Sequence, residues 1–279
     1  MFDKEKRQVI PIEQLENNCF QMKLRALEMT QGSTFGSHIG GGFSAMEIMA
    51  AIYAVANIPS MEDSGRDRVI VSKGHCTLAY FTALWKRGFL SDEDLASFEK
   101  DGSPYYAHAS RNLEKGIEFS GGSLGLGVSF AIGVARACKD RNLGNRIFVV
   151  AGDGELNEGI VWEALMSASK MKLDNLTIIV DKNDYQVDGP TEDVMDMSPL
   201  EEKFASFGFE TKTVDGHCLG ELVSCLSGQA HSPRVIIAKT VKAHGISFLE
   251  NNKMSHHCTL ARKKYEQAVQ EIKTAYGAE

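Results

Sequence analysis

The sequence predicts an α/β fold in which helices cover both faces of a doubly wound, mostly parallel β-sheet. Continuous apolar runs are typical of strands buried on both faces, and the chain has clear ones at 68–72, 146–151, 176–181 and 234–240. Helical apolar spacing alternates with these runs, which favours βα units. Polar residues and glycines follow several of the strands, at the edge where such sheets bind ligands.

The remaining elements are predicted from periodicity and capping patterns. Ser44 followed by Glu47 has the pattern of a capping box, so a helix is predicted to begin there, and Ser91 is the predicted N-cap of a short acidic helix. No linker divides the chain, so we expect one domain over residues 1–279. In chain order we predict helix 13–31, a glycine-rich loop 32–42, helix 44–56, strand 68–72, a helix through Leu84, an acidic helix 91–100, an irregular segment 101–120, a small-residue helix 121–139, strand 146–151, helix 159–170, strand 176–181, helix 198–206, strand 210–214, helix 217–228, strand 234–240, a loop 241–257 and a C-terminal helix.

Composition and charge exclude several functional classes. The formal charge is −7, from 30 basic and 37 acidic side chains without a basic stripe, which argues against a nucleic-acid partner. No window is long and apolar enough for a membrane span, and the charged N-terminal segment 1–11 does not resemble a secretory signal. The six cysteines form no Cys-x-x-Cys pair, so we expect free thiols and a cytoplasmic protein.

The segment Gly152-Asp153-Gly154 carries the strongest chemical signal. A buried strand delivers an aspartate between two glycines, and Asn183 follows the next strand. Gly-Asp-Gly alone is typical of a turn, but adjacent parallel strands would bring the two side chains together. One carboxylate, one carboxamide and a backbone carbonyl, such as that of Tyr185, suit Mg²⁺ and leave room for diphosphate oxygens.

The spacing of Gly-Asp-Gly and Asn resembles the thiamine-diphosphate signature, and the likeness to the N-terminal, diphosphate-binding (PP) domain of transketolases extends over about residues 15–270. Matching motifs occur in the same order along the chain. They are Ser37-His-Ile-Gly40, Arg66-Asp-Arg68, Ser72-Lys-Gly-His75, Gly122-Ser-Leu-Gly125, Gly152-Asp-Gly-Glu-Leu-Asn-Glu-Gly159 and Asp181-Lys-Asn183.

The resemblance implies a role for each matching residue. It implies thiamine diphosphate as cofactor, held through Mg²⁺, or through Ca²⁺ or Mn²⁺ instead. It assigns the cation to Asp153, Asn183 and the Tyr185 carbonyl; the cofactor to His75, Gly122, Leu124, Gly154, Asp181 and Val187; a carboxylate network at the subunit interface to Glu158; and the substrate to His38, His108 and His257.

The histidines require individual judgement, because a lone histidine is more often packed or solvated than catalytic. His217, His231 and His244 are interpreted in that ordinary way. His256-His257-Cys258 stands where the family reads His-Gly, and the alignment favours His257 over His256. The loops around His38 and His108 also depart from the family pattern, which leaves the natural sugar open more than the cofactor.

The resemblance implies that two transketolase domains are missing: a pyrimidine-binding domain, with the glutamate that activates the cofactor, and a C-terminal domain. We therefore expect a split enzyme in which a second subunit supplies both, in an α₂β₂ assembly with the active site between chains. The implied reaction moves a two-carbon ketol unit from a ketose or ketose phosphate to an aldose.

Three alternatives remain open at this stage. The chain could belong to another thiamine enzyme, such as a deoxyxylulose-phosphate synthase or an E1-type decarboxylase, or to a transketolase specialised for one pathway. It could also be a non-catalytic subunit, although the intact Asp153 and Asn183 argue against that. A plain nucleotide-binding fold is disfavoured, because the chain lacks both Gly-x-Gly-x-x-Gly after a first strand and Gly-Lys-Ser/Thr.

Overall fold

A single parallel sheet organises the part of the chain that the computed structural model describes, residues 10–33 and 35–278. The described residues do not include 1–9 or Thr34. The first of these ranges is part of the segment 1–11 that does not resemble a secretory signal, and Thr34 is in the predicted glycine-rich loop. The strand order is β1-β2-β3-β5-β4, and all neighbours are parallel. The strands are β1 (Arg68–Val71), β2 (Ile147–Gly152), β3 (Leu176–Lys182), β4 (Glu210–Asp215) and β5 (Arg234–Lys239).

Helices cover both faces of this sheet. Val69 and Phe148 point to a core shared with the first, third, fourth, tenth and eleventh helices. Ile70 and Val149 point to the opposite core, with the sixth, seventh and ninth helices. The predicted fold class is therefore confirmed. The helices are α1 (Ile12–Gly32), α2 (Ile39–Ser44), α3 (Met46–Val55), α4 (Thr77–Lys86), α5 (Asp92–Ala96), α6 (Leu126–Asp140), α7 (Gly159–Lys170), α8 (Thr191–Met195), α9 (Leu200–Ser206), α10 (Leu219–Ser227) and α11 (Arg262–Ala275).

The capping box predicted at Ser44 is wrong. Ser44 is the last residue of α2, and its hydroxyl donates to the Asp181 carboxylate at 2.6 Å. Glu47 instead forms a buried ion pair with Lys23 at 2.6 Å. Both side chains are used in contacts between distant segments, which a local pattern does not reveal. The predicted cap at Ser91 is confirmed, with its side chain accepting from the Asp94 N–H at 3.1 Å.

The predicted glycine-rich loop is helical in its second half. Gly41 packs so closely on the backbone of His75 that a Cβ there would lie 2.5 Å from the His75 carbonyl oxygen. A Cβ at Gly42 would lie 2.9 Å from that of Leu78. Close packing against the segment after β1 therefore stabilises α2 despite the low helix propensity of glycine.

Cysteines and helix lengths agree with the expectations from composition. All six cysteines are unpaired thiols. In the described part of the chain, no helix combines the length and the apolar character that crossing a bilayer requires.

Candidate active site

The carboxyl ends of β2 and β3 bring two polar side chains to one edge of the sheet. Gly152 pairs with Asp181 in the parallel ladder, so Asp153 and Asn183 leave the sheet close to each other. Both side chains are buried and contribute to the wall of one cavity. The sequence analysis expected adjacent parallel strands to bring Asp153 and Asn183 together, and β2 and β3 are such a pair.

This cavity has a volume of about 300 Å³. Residues singled out from the sequence form much of its wall: His75, Leu124, Asp153, Gly154, Asn183, Tyr185 and Val187. Residues to which the sequence analysis gave no role also line it: Gly41, Lys73, Glu155, Gln186, Lys242 and His256. The other predicted site residues lie outside this wall, namely His38, His108, His257, Gly122, Glu158 and Asp181.

The oxygen donors in this cavity suit a hard divalent cation. The Asp153 carboxylate accepts N–H bonds from Gly154 at 2.8 Å and from Asp184 at 2.6 Å, one on each oxygen. The side-chain carbonyl of Asn183 accepts from the Tyr185 N–H at 3.1 Å. These oxygens have further lone pairs, and Mg²⁺ prefers such ligands. The donor set therefore fits the cation that the sequence predicts.

Asp181 lies beneath the cavity, so the predicted direct contact with a cofactor is not supported. Its side chain is fully buried and forms an ion pair with Lys73, while Ser44 and Thr240 donate hydroxyl hydrogen bonds to it. Burial, and then the charge of Asp181, raise the pKa of Asp153 to about 6. Two carboxylates at close range resist ionising together, and a bound cation would relieve that repulsion.

Two lysines in the cavity wall were missed by the sequence analysis. Lysine is almost never fully buried unless it is paired. Lys73 and Lys242 are both buried, and Lys73 is paired with Asp181. The Lys242 ammonium donates to the carbonyls of Gln186 at 3.0 Å and Tyr185 at 3.4 Å. Burial, and then the charge of Lys73, lower the pKa of Lys242 to about 8. The available signals were the position of Lys73 directly after a buried strand and its place in the motif Ser72-Lys-Gly-His75.

A cluster of imidazoles stands beside the cavity. The His38 ring centroid lies 4.6 Å from that of His75 and 5.2 Å from that of His108. Burial, and then neighbouring histidines, lower the pKa of both His38 and His75 to about 3, so both rings are neutral at pH 7. Within the described residues, the Nδ1 atoms of His38 and His108 are buried without a hydrogen-bond partner.

His256 rather than His257 lines this cavity, whereas the alignment favours His257 as the site histidine. His256 lines the cavity, and its ring centroid is 4.7 Å from that of His75. His257 is exposed, and its ring centroid lies 4.8 Å from that of His38. Two backbone hydrogen bonds of 2.9 and 3.1 Å join Ser37 to Cys258 and hold the two histidine segments together.

Gly122 supports the cavity from outside its wall. Its φ of +125° is one that glycine adopts readily, and it packs against Gly74. A Cβ at Gly74 would lie 3.0 Å from the Gly122 nitrogen and 2.8 Å from the His108 Nδ1. These two glycines therefore let the segment after β1 approach the histidine cluster closely.

Glu158 and Glu155 occupy contrasting environments at the start of α7. Glu158 is exposed. Glu155 is buried, and its carboxylate accepts from the backbone N–H groups of Gly125 at 2.7 Å and Gly152 at 3.1 Å. Glu155 therefore connects the start of α6 to the end of β2.

His217 and His244 are packed residues, as the sequence analysis interpreted them. Their rings stack with centroids 3.6 Å apart above the buried Glu47–Lys23 ion pair. Burial favours the protonated form of Glu47, but the Lys23 ammonium lowers its pKa well below the ordinary value. Because the Val241 N–H donates to Nε2 of His217 at 2.8 Å, the ring proton is on Nδ1 and faces Glu47 at 3.1 Å.

Residues 17–279 match the model of the family described as "Transketolase, thiamine diphosphate binding domain". The chain belongs to this family. It is 34% identical over 256 residues to the 6-deoxy-6-sulfo-D-fructose transketolase subunit SqwG of a Clostridium species, covering 89% of this chain and 93% of that protein. It is also 34% identical to an apulose-4-phosphate transketolase subunit of Actinobacillus succinogenes, covering 94% and 96%.

Full-length transketolases match this chain over less than half of their own length. Human transketolase is 31% identical, over 94% of this chain and 42% of that protein. The crystal structure of Campylobacter jejuni transketolase superimposes with a TM-score of 0.86 at 27% identity, over 97% of this chain and 44% of that one. The transketolase resemblance inferred from the motifs is thus confirmed, and the chain corresponds in length to the separate subunits.

Proposed function

We propose that this chain is the thiamine-diphosphate-binding subunit of a split transketolase. The observation that carries the proposal is the convergence of Asp153, Asn183 and Tyr185 on one cavity at the ends of β2 and β3. Asp153, Asn183 and the Tyr185 carbonyl would hold Mg²⁺, or Ca²⁺ or Mn²⁺ in its place. The family match over residues 17–279 supports the cofactor.

The walls of the cavity divide between the two ends of the cofactor. His75, Gly154 and the ammonium groups of Lys73 and Lys242 would meet the diphosphate, since charge-assisted hydrogen bonds are the strong ones. The apolar side chains of Leu124 and Val187 would pack along the rings, with Gly122 close to the same side. Asp181 contributes by holding Lys73 in place.

The reaction that we propose is transfer of a two-carbon ketol unit between sugars. When bound, thiamine diphosphate supplies the electron sink that cleavage of a ketose carbon–carbon bond requires. His38, His108 and His256 would bind substrate hydroxyls and move protons. A neutral imidazole has one donor and one acceptor nitrogen, and the close grouping of these three rings beside the cavity supports this use.

We propose that a second subunit carries the pyrimidine-binding and C-terminal domains. The relatives named as transketolase subunits, which the chain matches over almost their whole length, support this division. Apolar side chains near the cavity mouth also support a covering partner. Phe35, Val187 and Met254 are between 58% and 76% exposed. Val187 lines the cavity, and Phe35 and Met254 are close in sequence to His38 and His256.

We propose self-association through α6, giving an α₂β₂ enzyme. Leu126, Phe130, Gly133 and Ala137 are exposed at helical spacing on α6, which makes one apolar stripe facing outward. In analytical ultracentrifugation, Phe130→Glu should lower the molecular mass of the species in solution from that of a dimer to that of a monomer. An unchanged mass would contradict this choice of surface.

The six free thiols support a cytoplasmic location for the assembly.

A specialised ketose substrate is the second possibility that the comparisons favour. The relatives at 34% identity are named for a sulfonated fructose and for apulose 4-phosphate. We therefore expect the donor to be a ketose with an anionic group, phosphate or sulfonate. A screen of phosphorylated, sulfonated and neutral ketoses with the complete two-subunit enzyme tests this, and equal rates with neutral ketoses would contradict it.

Calorimetric titration of the chain with thiamine diphosphate and Mg²⁺ tests the cofactor site. Binding should require the metal and should disappear in Asp153→Ala. Asp184→Asn is the matched control, because this neighbouring carboxylate is exposed and only its backbone N–H contacts Asp153. Asparagine also tolerates the φ of +61° at this position. Ketol transfer should then appear when the partner subunit is added. Metal-independent binding, or full activity without a partner, would refute the proposal.

A further inference from the structure

The ammonium group of Lys242 shares an acceptor with the proposed metal site. It donates to the carbonyl of Tyr185 at 3.4 Å and to that of Gln186 at 3.0 Å, and it lies 3.3 Å from Nδ1 of His256. The Tyr185 carbonyl is also the third oxygen assigned to the divalent cation. A cation on that oxygen would therefore sit next to a fixed positive charge.

The backbone around Lys242 is fixed on both sides. The Val241 N–H donates to His217 at 2.8 Å, and the Ala243 N–H donates to the Gly40 carbonyl at 3.0 Å. The Lys242 carbonyl accepts from the Asn251 N–H at 3.1 Å. A Cβ at Gly40 would lie 3.0 Å from Cε of Lys242, so the stem is tightly packed as well. The side chain therefore has little freedom to swing away from the cavity.

Lys242 also differs from the other charged groups of the cavity, because no group of opposite charge in the described part of the chain contacts it directly. Lys73 is paired with Asp181, and the carboxylate of Asp153 is bound by backbone N–H groups. Among residues 10–33 and 35–278, no carboxylate forms an ion pair with Lys242. The carboxylates of Asp153 and Asp181 attract the Lys242 charge without contacting it. A buried ammonium with no carboxylate in contact favours an anionic ligand over a cationic one.

We propose that Lys242 makes the cation and the diphosphate bind as a pair. Its charge opposes entry of a divalent cation alone, and a diphosphate satisfies the ammonium while ligating the cation. The inference rests on the proposed function, because it takes Asp153, Asn183 and Tyr185 as the metal ligands. It adds a residue outside the ligand set that couples binding of the cation to binding of the diphosphate.

Mn²⁺ binding by the full chain, followed by electron paramagnetic resonance of the free ion, tests this coupling. Without thiamine diphosphate, Lys242→Met should bind Mn²⁺ at least about tenfold more tightly than the parent chain, corresponding to about 1.4 kcal/mol. With saturating Mn²⁺, its affinity for thiamine diphosphate should fall by a similar factor. Lys242→Arg, which keeps the charge, should retain both parent values.

Two further variants separate charge from structure. Lys242→Gln keeps a hydrogen-bond donor for the carbonyls of Tyr185 and Gln186 but is neutral, so it should behave like Lys242→Met. It also serves if the methionine variant does not fold. Lys239→Met removes an exposed ammonium from the same segment, and it should behave like the parent.

The outcomes distinguish this inference from the proposed function. Unchanged Mn²⁺ affinity in both neutral variants, with metal-dependent cofactor binding intact in the parent, would overturn the coupling and leave the proposed function standing. Failure of the parent chain to bind thiamine diphosphate with Mn²⁺ would overturn both. Loss of coupling in Lys242→Arg as well would assign the effect to shape, and this also overturns the role of charge.

Discussion

Lys73 and Asp181 form an ion pair that is almost completely buried under the floor of the cofactor cavity. Lys73 follows β1 and lines the cavity, whereas Asp181 lies within β3 and is reached by no solvent. The pair therefore connects one wall of the site to the central strand of the sheet, across the intervening strand β2.

Removing one member of this pair should destabilise the chain strongly. Lys73→Met leaves the Asp181 carboxylate buried and uncompensated, which typically costs about 3–5 kcal/mol. We expect that loss in the free energy of unfolding by urea. The double variant Lys73→Met/Asp181→Asn should cost clearly less than the two single changes added together, since neither charge is then left alone.

An exposed ion pair provides the control. Lys139 and Asp174 lie 2.8 Å apart with both side chains more than a third exposed, so Lys139→Met should change stability by less than about 1 kcal/mol. If Lys73→Met cost no more than this exposed pair, the buried contact would not have the importance assigned to it.

Gly41→Ala should disturb the site without touching any charged group. The added Cβ would lie 2.5 Å from the His75 carbonyl oxygen, so either α2 or the segment carrying His75 must move. Overpacking of this kind costs about 1–3 kcal/mol, and thiamine diphosphate should bind more weakly. Thermal unfolding and calorimetry measure the two effects.

Gly220→Ala is the matched comparison for Gly41. Gly220 lies in α10, and nothing occupies the space around the position of its Cβ. Alanine there should raise stability by up to about 1 kcal/mol, because it favours the helix. Equal effects of the two substitutions would argue against the close approach at Gly41.

His256 and His257 can be separated by activity. His256→Gln should lower kcat/KM of the two-subunit enzyme by roughly 10²-fold, a typical value for a residue that transfers a proton. His257→Gln should change it much less, because His257 is exposed and does not line the cavity. The reverse order of effects would restore the alignment-based choice.

The cofactor-free chain should become less stable in acid because of His38. Burial, and then His75, lower the pKa of His38 from 6.5 to about 3. Between those values the unfolded chain binds a proton that the folded chain excludes, so folding stability falls as the pH is lowered. Between about pH 7 and pH 5.5, the free energy of unfolding should therefore fall by about 1 kcal/mol less in His38→Gln than in the parent chain.

Urea unfolding at the two pH values measures this difference. His231→Gln removes an exposed imidazole far from the cluster in sequence and serves as the control. A parent chain and a His38→Gln variant with the same pH dependence would contradict the lowered pKa of His38.

Elements with a strong local pattern were predictable from the sequence. The helix Gly159–Lys170 has the predicted bounds, and the parallel strands at 68–71 and 176–182 differ from prediction only at an end. The capping box at Ser44 and the loop at Gly41 failed for a shared reason. Both residues are committed to contacts with segments distant in sequence, and those contacts outweigh local propensity.

The candidate site was predictable where glycine or asparagine follows a buried strand, as at Asp153 and Asn183. The lysines were not, because a lysine's environment depends on which distant group it meets. The ammonium of Lys73 is paired with Asp181, and that of Lys242 donates to two backbone carbonyls. Choosing between His256 and His257 likewise required knowing which side of a turn faces the cavity.

The backbone bridge between Ser37 and Cys258 constrains when the enzyme can be loaded. During translation the loop at Ser37 emerges long before the segment at Cys258, and N-terminal parts of a chain start to fold first. His38 therefore cannot contact His256 until more than two hundred further residues have left the ribosome. Cofactor capture should accordingly come late in synthesis or after it, and newly made chains should pass through an unloaded form.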